Sequence, residues 1–322
     1  MLLNECLLAL ILFATINGAF IFPMTLICWT RNVYINITVV GFNDGEPLTL
    51  RVDCHRNLVI ESRLFDGVYD VNSDSASITA IDGRAMEIEG YLVQHSTWIE
   101  EGYLGIGPGS VVIRQHGPID LIYSPYMDTR LLVVNSSEVY PQSCVPNSTI
   151  SIPFVYIDSW AHNVIPYVTF KLMRHSDTHD RRVFLNEQLP PYSLSVNGFA
   201  SYMCLPGTIA ETLSNMISSQ GAVWVLSDDL NVPISFNQCT AAIINSLPDI
   251  VIVITGDTNN TLGEVIQTPS DYLRIDPLND ECAFRFITAY ENEIYSINPF
   301  TLNGINVRVD ENQLHICDSI HS

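Results

Sequence analysis

The chain has 322 residues, 47% of them hydrophobic, and a formal net charge of −21 at pH 7. A chain of this length can bury one large or two medium hydrophobic cores. So acidic a surface repels polyanions, which disfavours nucleic acid and anionic membrane surfaces as partners.

The first segment along the chain has the pattern of a secretory leader. An apolar stretch at 7–13 is followed by small residues at Gly18 and Ala19, as in a signal peptide that is removed. We predict a signal peptide over 1–19. The alternative is an uncleaved membrane anchor, because apolar residues resume at Phe20.

Runs typical of β-strands dominate the rest of the chain, and Asp-Gly pairs between them predict tight turns. Helical periodicity is scarce: the best helix is 209–217, with a second, short one at 240–245. The chain is therefore predicted to be all-β, meaning β-rich with a few short helices. The predicted strands are 33–40, 48–52, 86–93, 110–113, 131–134 and 168–172, and the predicted turns are 44–45, 66–67 and 82–83.

A cluster of proline, serine and cysteine between Pro141 and Pro146 divides the chain into comparable halves. Segments of this composition connect domains more often than they fill cores. We predict an N-terminal lobe over 20–146 and a C-terminal lobe over 147–322. Two β lobes with a cleft between them can bind an extended ligand.

The block from Cys239 to Cys282 resembles the C-terminal lobe of pepsin-like aspartic proteases. Its order is a cysteine, a short helical turn, Leu-Pro-Asp-Ile, a β run and a second cysteine. The resemblance implies the bilobal acid-protease fold with a central cleft, and a disulfide between Cys239 and Cys282. The pairing of the other cysteines beyond the leader stays open; these are Cys28, Cys54, Cys144, Cys204 and Cys317.

The N-terminal half is similar to the same family over 47–60. There Asp53 occupies the position of the first catalytic aspartate. Cys54 and His55 stand where the family has threonine and glycine, so the triplet that surrounds the catalytic acid is altered. Cys54 and His55 are neighbours on a strand and point to opposite faces, which disfavours a thiol–imidazole pair.

The segment 78–84 resembles the flap hairpin that closes over substrate in this family. Asp82 and Gly83 keep its turn, whereas Ala80 replaces the tyrosine that clamps the substrate. The glycine-rich segment 102–107 matches a conserved feature of the family fold in which backbones pass close together.

Val225 falls on the position of the second catalytic aspartate. Aspartic proteolysis requires two carboxylates that share a proton. The resemblance therefore implies a catalytically inactive homologue that binds peptide or protein ligands through its cleft or surface. The alternative is an active, divergent endopeptidase working at acidic pH, with Asp53 and either Asp228 or Asp229 as its dyad.

The remaining signals concern location and ligands. Secretion or residence in an acidic lumen, a monomeric state and the absence of any cofactor are predicted. His175 and His179 have metal-ligand spacing, but their polar flanks favour a loop, so no metal site is predicted. Four Asn-x-Ser/Thr sequons predict a glycoprotein; they begin at Asn36, Asn135, Asn147 and Asn259.

Overall fold

A computed structural model describes most of the regular elements of the chain. Among the residues that the structure describes, no helix is long and apolar enough to cross a membrane. Residues 1–17 of the leader predicted over 1–19, and the predicted turns at 44–45 and 66–67, lie outside the described residues. The described residues are 18–26, 33–39, 47–53, 58–61, 75–94, 102–124, 129–137, 139–153, 155–156, 163–174, 183–186, 192–196, 203–221, 224–225, 235–237, 239–255, 261–276, 281–284, 286–289, 295–297 and 304–320.

Contacts divide the chain into two compact units. The first comprises Met1–Asn163 together with Gly304–Ser322, and the second comprises Val164–Asn303. The sequence placed a boundary at 146 and kept the C-terminal segment with the second half. The contacts group that segment with the first unit, because its two strands pair with strands of the first unit.

The first unit contains thirteen strands of one sheet and two short helices among its described residues. The helices are α1 (Val111–His116) and α2 (Val139–Ser143). The first eleven strands of the sheet are β1 (Phe20–Leu26), β2 (Val33–Val39), β3 (Leu48–Asp53), β4 (Leu58–Glu61), β5 (Ser75–Thr79), β6 (Ala85–Glu89), β7 (Tyr91–Gln94), β8 (Gly102–Gly105), β9 (Ile119–Ser124), β10 (Thr129–Val134) and β11 (Ile150–Pro153). The last two, β25 (Ile305–Val309) and β26 (Gln313–Asp318), follow the second unit along the chain. The short β12 (Val155–Tyr156) pairs with β13 and is not part of this sheet.

The strand order of this sheet is β11-β26-β25-β9-β10-β1-β2-β3-β8-β4-β7, with β5 pairing β2 and β6. Residues that alternate along these strands form its core. In β5, for example, Ala76 and Ile78 are buried while their neighbours are more exposed. This alternation is what a sheet with one covered face requires.

The second unit contains a sheet with the order β20-β19-β13-β15-β24-β16-β23, in which β14 also pairs β13, and a smaller sheet with the order β17-β18-β22-β21. Its helices are α3 (Gly207–Ser219), α4 (Ala241–Ser246) and α5 (Pro269–Tyr272). Its strands are β13 (Asn163–Met173), β14 (Val183–Asn186), β15 (Tyr192–Val196), β16 (Met203–Pro206), β17 (Trp224–Val225), β18 (Ser235–Phe236), β19 (Asp249–Thr255), β20 (Thr261–Gln267), β21 (Leu273–Asp276), β22 (Glu281–Phe284), β23 (Phe286–Ala289) and β24 (Tyr295–Ile297).

The predicted β-rich class with two units and a few short helices is confirmed. The helices predicted at 209–217 and 240–245 correspond to α3 and α4. Two strand predictions differ from the structure. The run 86–93 forms two strands separated by Gly90 at φ +81°, and the run 110–113 begins the helix α1.

Candidate functional site

Asp53 is the last residue of β3, which runs parallel to β8 and pairs Asp53 with Gly105. On the other side of β8 lies β4, which is antiparallel to β8 and parallel to β7. The strand β8 therefore lies between β3 and β4. The side chain of Asp53 is outside the part of the chain that the structure describes.

Gly102 permits the close approach of β8 and β4. A Cβ atom added there would lie 2.1 Å from the carbonyl oxygen of Val59, and φ is +142°. Only glycine fits both the space and this backbone conformation. The expectation that the glycine-rich segment allows backbones to pass closely is met at this residue.

The second unit repeats the four-strand arrangement. The strand β24 lies between β15, which is parallel to it, and β16, which is antiparallel, and β16 is parallel to β23. In this repeat Val196 ends β15 and pairs with Ile297, as Asp53 ends β3 and pairs with Gly105. The topological counterpart of Asp53 is therefore Val196.

Val225, the residue that the sequence placed at the second aspartate position, lies elsewhere. It belongs to β17 of the small sheet, where it pairs with Ser235. Counting back from Cys239 along the sequence reaches β17 and not β15, which lies further upstream. The signal that could have found it is the run 192–196 before Asn197-Gly198, with the helical pattern of α3 following. Asp228 and Asp229 lie outside the described residues.

The predicted flap corresponds to the turn of the β5–β6 hairpin. Ala80 is buried, whereas Asp82 and Gly83 are exposed, and Gly83 has φ +82° and donates its N–H to the Ala80 carbonyl at 2.9 Å. The Asp82 carboxylate accepts hydrogen bonds from the backbone N–H and Nε of Arg84, at 3.1 and 2.6 Å. The hydrogen bond from the Arg84 backbone lowers the pKa of Asp82 most, and the Arg84 side chain lowers it further.

A pocket of about 540 Å³ opens on the first unit. Its volume is that of a small-ligand or side-chain site. Apolar residues of the α1 end, namely Ile113, Gly117 and Pro118, form one wall. The polar residues that line it are Tyr140, Thr149, Arg308, Asp310, Glu311 and His315.

Two residues of the pocket lining, Arg308 and His315, belong to a row of polar side chains that crosses four adjacent strands. Ser151 on β11 is opposite His315 on β26, His315 is opposite Arg308 on β25, and Arg308 is opposite Asp120 on β9. Directly opposite residues lie on the same face of a sheet with their Cβ atoms about 5 Å apart. The row therefore joins one exposed edge of the sheet to a buried carboxylate.

Asp120 and Arg308 form the buried end of this row. The Arg308 Nε and Nη2 atoms donate to the two carboxylate oxygens at 2.6 and 3.0 Å, and the Asp120 side chain is 0% exposed. Burial raises the pKa of Asp120 to about 6, although the Arg308 guanidinium opposes part of that rise. The guanidinium also lies over the Tyr140 ring, 5.3 Å from its centroid.

At the exposed end of the row, Asp310 joins His315 and Ser151 in a chain of hydrogen bonds. His315 Nε2 lies 3.1 Å from Asp310 Oδ2, and Nδ1 lies 2.8 Å from Ser151 Oγ. Burial raises the pKa of Asp310, but hydrogen bonds from the Asn312 backbone, His315 and the Gln313 backbone outweigh it, and the pKa is lowered. Both ring nitrogens are engaged, so the chain holds the rim of the pocket in one geometry.

Two disulfides join described cysteines. Cys239 pairs with Cys282, as the resemblance implied, at a Cα–Cα distance of 5.4 Å. Cys144 pairs with Cys317 at 5.6 Å, a pair that the sequence could not choose. Disulfides persist in oxidising environments, so the chain has the character of an extracellular or lumenal protein.

Three of the four sequon asparagines are described, and all three are exposed. Asn36 lies on β2, and Asn135 and Asn147 lie in turns with φ of 62° and 65°. Asn259 lies outside the described residues. Attachment of glycans at these positions stays a prediction.

Comparison with known proteins gives a likeness of fold. No family model matches the chain, and no curated protein matches it in sequence. Basic 7S globulin from soybean superposes with a TM-score of 0.65 at 10% identity, over 94% of this chain and 96% of that one.

Two further solved structures are similar over 94% of this chain and 95% of theirs. They are conglutin gamma, a basic 7S globulin from lupine seeds, at 10% identity, and the protein named edgp, at 13%, both with a TM-score of 0.61. Identities this low establish the fold and no more.

These neighbours correct the assignment of the chain to the pepsin-like protease family, which was wrong. The solved structures that it resembles are named as globulins and edgp, and no protease family model matches. The physical reason lies in the motifs. The Cys239–Cys282 block is a disulfide-closed segment of the fold. The catalytic triplets that define the proteases do not occur in the chain.

Proposed function

We propose that this chain is a secreted, non-catalytic protein that binds a peptide or protein ligand. The observation that carries the proposal is the chemistry of the two repeated strand ends. The first repeat ends in Asp53 and its counterpart ends in Val196. A two-carboxylate reaction needs an acid at both positions so that their pKa values separate, and valine has no acid to contribute.

Binding is supported by the pocket of the first unit. Its polar lining residues Arg308, Asp310 and His315 are held by hydrogen bonds within the protein, and its wall at the α1 end is apolar. Pre-organised polar groups beside apolar surface favour recognition, because little ordering is left to be done on binding. Glu311 at the rim is exposed, and a carboxylate there suits a basic side chain of a ligand.

The catalytic part of the proposal is tested with a protease assay. The purified chain is incubated with an unfolded protein from about pH 3 to 6, the range in which aspartic dyads work. We expect no cleavage. Cleavage that a transition-state peptide inhibitor blocks and that Asp53→Ala abolishes would overturn the proposal.

The binding part is tested by selecting peptides from a displayed random library on the immobilised chain. Selected peptides are then measured against Glu311→Arg, which changes an exposed rim charge, and against Glu264→Arg on β20 of the second unit as the control. We expect weaker binding only for the rim variant. Failure to select any peptide, or equal binding to both variants, contradicts binding at this pocket.

A further inference from the structure

The lining of the first-unit pocket carries more negative than positive charge. Two carboxylates, Asp310 and Glu311, and one guanidinium, Arg308, belong to it. The charge of Arg308 is already balanced, because its Nε and Nη2 atoms donate to the buried Asp120 carboxylate at 2.6 and 3.0 Å. The Nη2 atom also donates to the Ser136 carbonyl. The pocket therefore presents negative charge to a ligand, on a chain whose net charge of −21 attracts cations as a whole.

The two carboxylates of the lining keep acceptor sites for a ligand. Asp310 Oδ1 accepts the backbone N–H groups of Asn312 and Gln313 at 2.9 and 2.7 Å. Asp310 Oδ2 lies 3.1 Å from His315 Nε2, which leaves it a second lone pair. Glu311 is exposed, and its carboxylate forms no hydrogen bond or ion pair with any described residue. A cationic donor can therefore pair with Glu311 and reach Oδ2 of its neighbour.

Tyr140 is a buried polar side chain of the same lining whose hydroxyl is unsatisfied. The residue is 4% exposed, and among the described residues nothing forms a hydrogen bond with its hydroxyl. Burial raises the pKa of Tyr140, and the Thr149 side chain opposes part of that rise, but the two hydroxyls do not meet in hydrogen-bond geometry. A buried hydroxyl without a partner costs free energy, which a ligand donor that reaches it would offset.

Apolar surface lies beside these acceptors. Pro118 and Pro141 both belong to the lining; Pro118 is half-buried and Pro141 is exposed. Aliphatic rings of this kind can cover the methylene stem of a long side chain whose charged end remains among polar groups. The pocket thus combines an apolar wall with carboxylate acceptors.

We propose that this pocket binds the side chain of an arginine in a peptide ligand. The guanidinium pairs with Glu311 and Asp310 and donates to the Tyr140 hydroxyl. The methylene stem lies against Pro118 and Pro141. A guanidinium has five donors in one plane, whereas an ammonium group is a point charge with three, so arginine satisfies more of these acceptors than lysine does. The proposal rests on the binding part of the proposed function and names the chemistry that the pocket recognises.

The test uses three small probes: the N-acetyl amides of arginine, lysine and citrulline. Citrulline has nearly the shape of arginine but no charge. Dissociation constants are measured on the purified full chain by ligand-observed NMR. We expect the arginine probe to bind with a Kd on the order of 1 mM. The citrulline probe should bind about tenfold more weakly, because it lacks the charge-assisted hydrogen bonds, and the lysine probe should lie between them.

Variants locate the arginine probe in the pocket. Glu311→Gln should weaken its binding by about tenfold, whereas Glu264→Gln on β20 of the second unit is the matched control and should leave it unchanged. Tyr140→Phe should weaken binding by about threefold. The same change should leave the Tm of the free protein unchanged or higher, since it removes a hydroxyl that has no partner there. A lower Tm with unchanged binding would show that the hydroxyl serves folding and not the ligand.

Equal affinities of the arginine and citrulline probes, no binding of the arginine probe, or unchanged binding to Glu311→Gln would overturn the assignment to arginine. Such a failure is distinguishable from failure of the proposed function. If peptides selected on the chain lose binding to Glu311→Arg but contain no arginine, the pocket binds peptides of another chemistry and only the assignment to arginine is wrong. If no peptide is selected and no probe binds, both proposals are wrong.

Discussion

Single residues decide the electrostatics of the first unit, and Asp120 is the clearest case. Its carboxyl is fully buried, yet it keeps one strong partner in Arg308. Burial of a charge costs free energy even when the charge is paired. The raised pKa is the measure of that cost.

We predict that Asp120 makes the protein more stable in acid. Its folded pKa of about 6 lies above the usual value near 3.8, so this contribution is fully present below about pH 4 and is lost as pH rises through 6. The difference of about two pH units corresponds to about 3 kcal/mol. Urea unfolding from pH 4 to 7 should show this slope, and Asp120→Asn should flatten it.

Glu311→Gln is the matched control, because it removes an exposed carboxyl from the same pocket. It should leave the pH profile of unfolding unchanged. An Asp120→Asn profile as steep as that of the original protein would show that other groups set the acid stability.

At the scale of elements, local sequence and tertiary context disagree at Ser110–Ile113. The β-branched run predicts a strand, but the Ser110 hydroxyl accepts the Ile113 N–H at 3.3 Å and caps α1. Gly117 then ends the helix at φ +93°. Caps at both ends and burial of Val111, Val112 and Ile113 outweigh a weak intrinsic preference for the strand.

We predict that the contact between β8 and β4 depends on Gly102. Gly102→Ala should destabilise the protein by about 3 kcal/mol or more, because the new methyl group meets the Val59 carbonyl as well as an unfavourable φ. Gly83→Ala is the control: it has φ +82° with open space around it and should cost only about 1 kcal/mol. Equal losses in chemical denaturation would mean that backbone conformation, not contact, matters at Gly102.

At the scale of the whole molecule, the two disulfides between described cysteines lie in different units. Cys144–Cys317 links residues 173 apart in sequence within the first unit, and Cys239–Cys282 links residues 43 apart within the second. The first joins the C-terminal strand β26 to the residue that follows α2. Longer closed loops restrict the unfolded chain more.

We predict that each disulfide stabilises its own unit. Cys144→Ala with Cys317→Ala should cost on the order of 4 kcal/mol and speed hydrogen exchange in β25 and β26. Cys239→Ala with Cys282→Ala should speed exchange in β18 and β22 instead. Uniform acceleration across both units in either variant would contradict separate stabilisation.

The sequence alone was enough to identify the β-rich class, α3, α4 and the turn at Asp82-Gly83, because these depend on local periodicity and on residues with special backbone preferences. Together with the resemblance it also indicated the Cys239–Cys282 pair. The family assignment was wrong, because the Cys239–Cys282 block belongs to the fold, and a shared fold does not establish a shared chemistry.

Only the tertiary structure assigned 304–320 to the first unit, paired Cys144 with Cys317 and identified Val196 as the counterpart of Asp53 in the repeated strand arrangement. It also aligned four polar residues across four strands, namely Ser151, His315, Arg308 and Asp120. Each of these depends on the register between strands that are far apart in the chain. The alternation of side chains along one strand tells which face of the sheet a residue occupies. It does not tell which distant strand lies beside that strand.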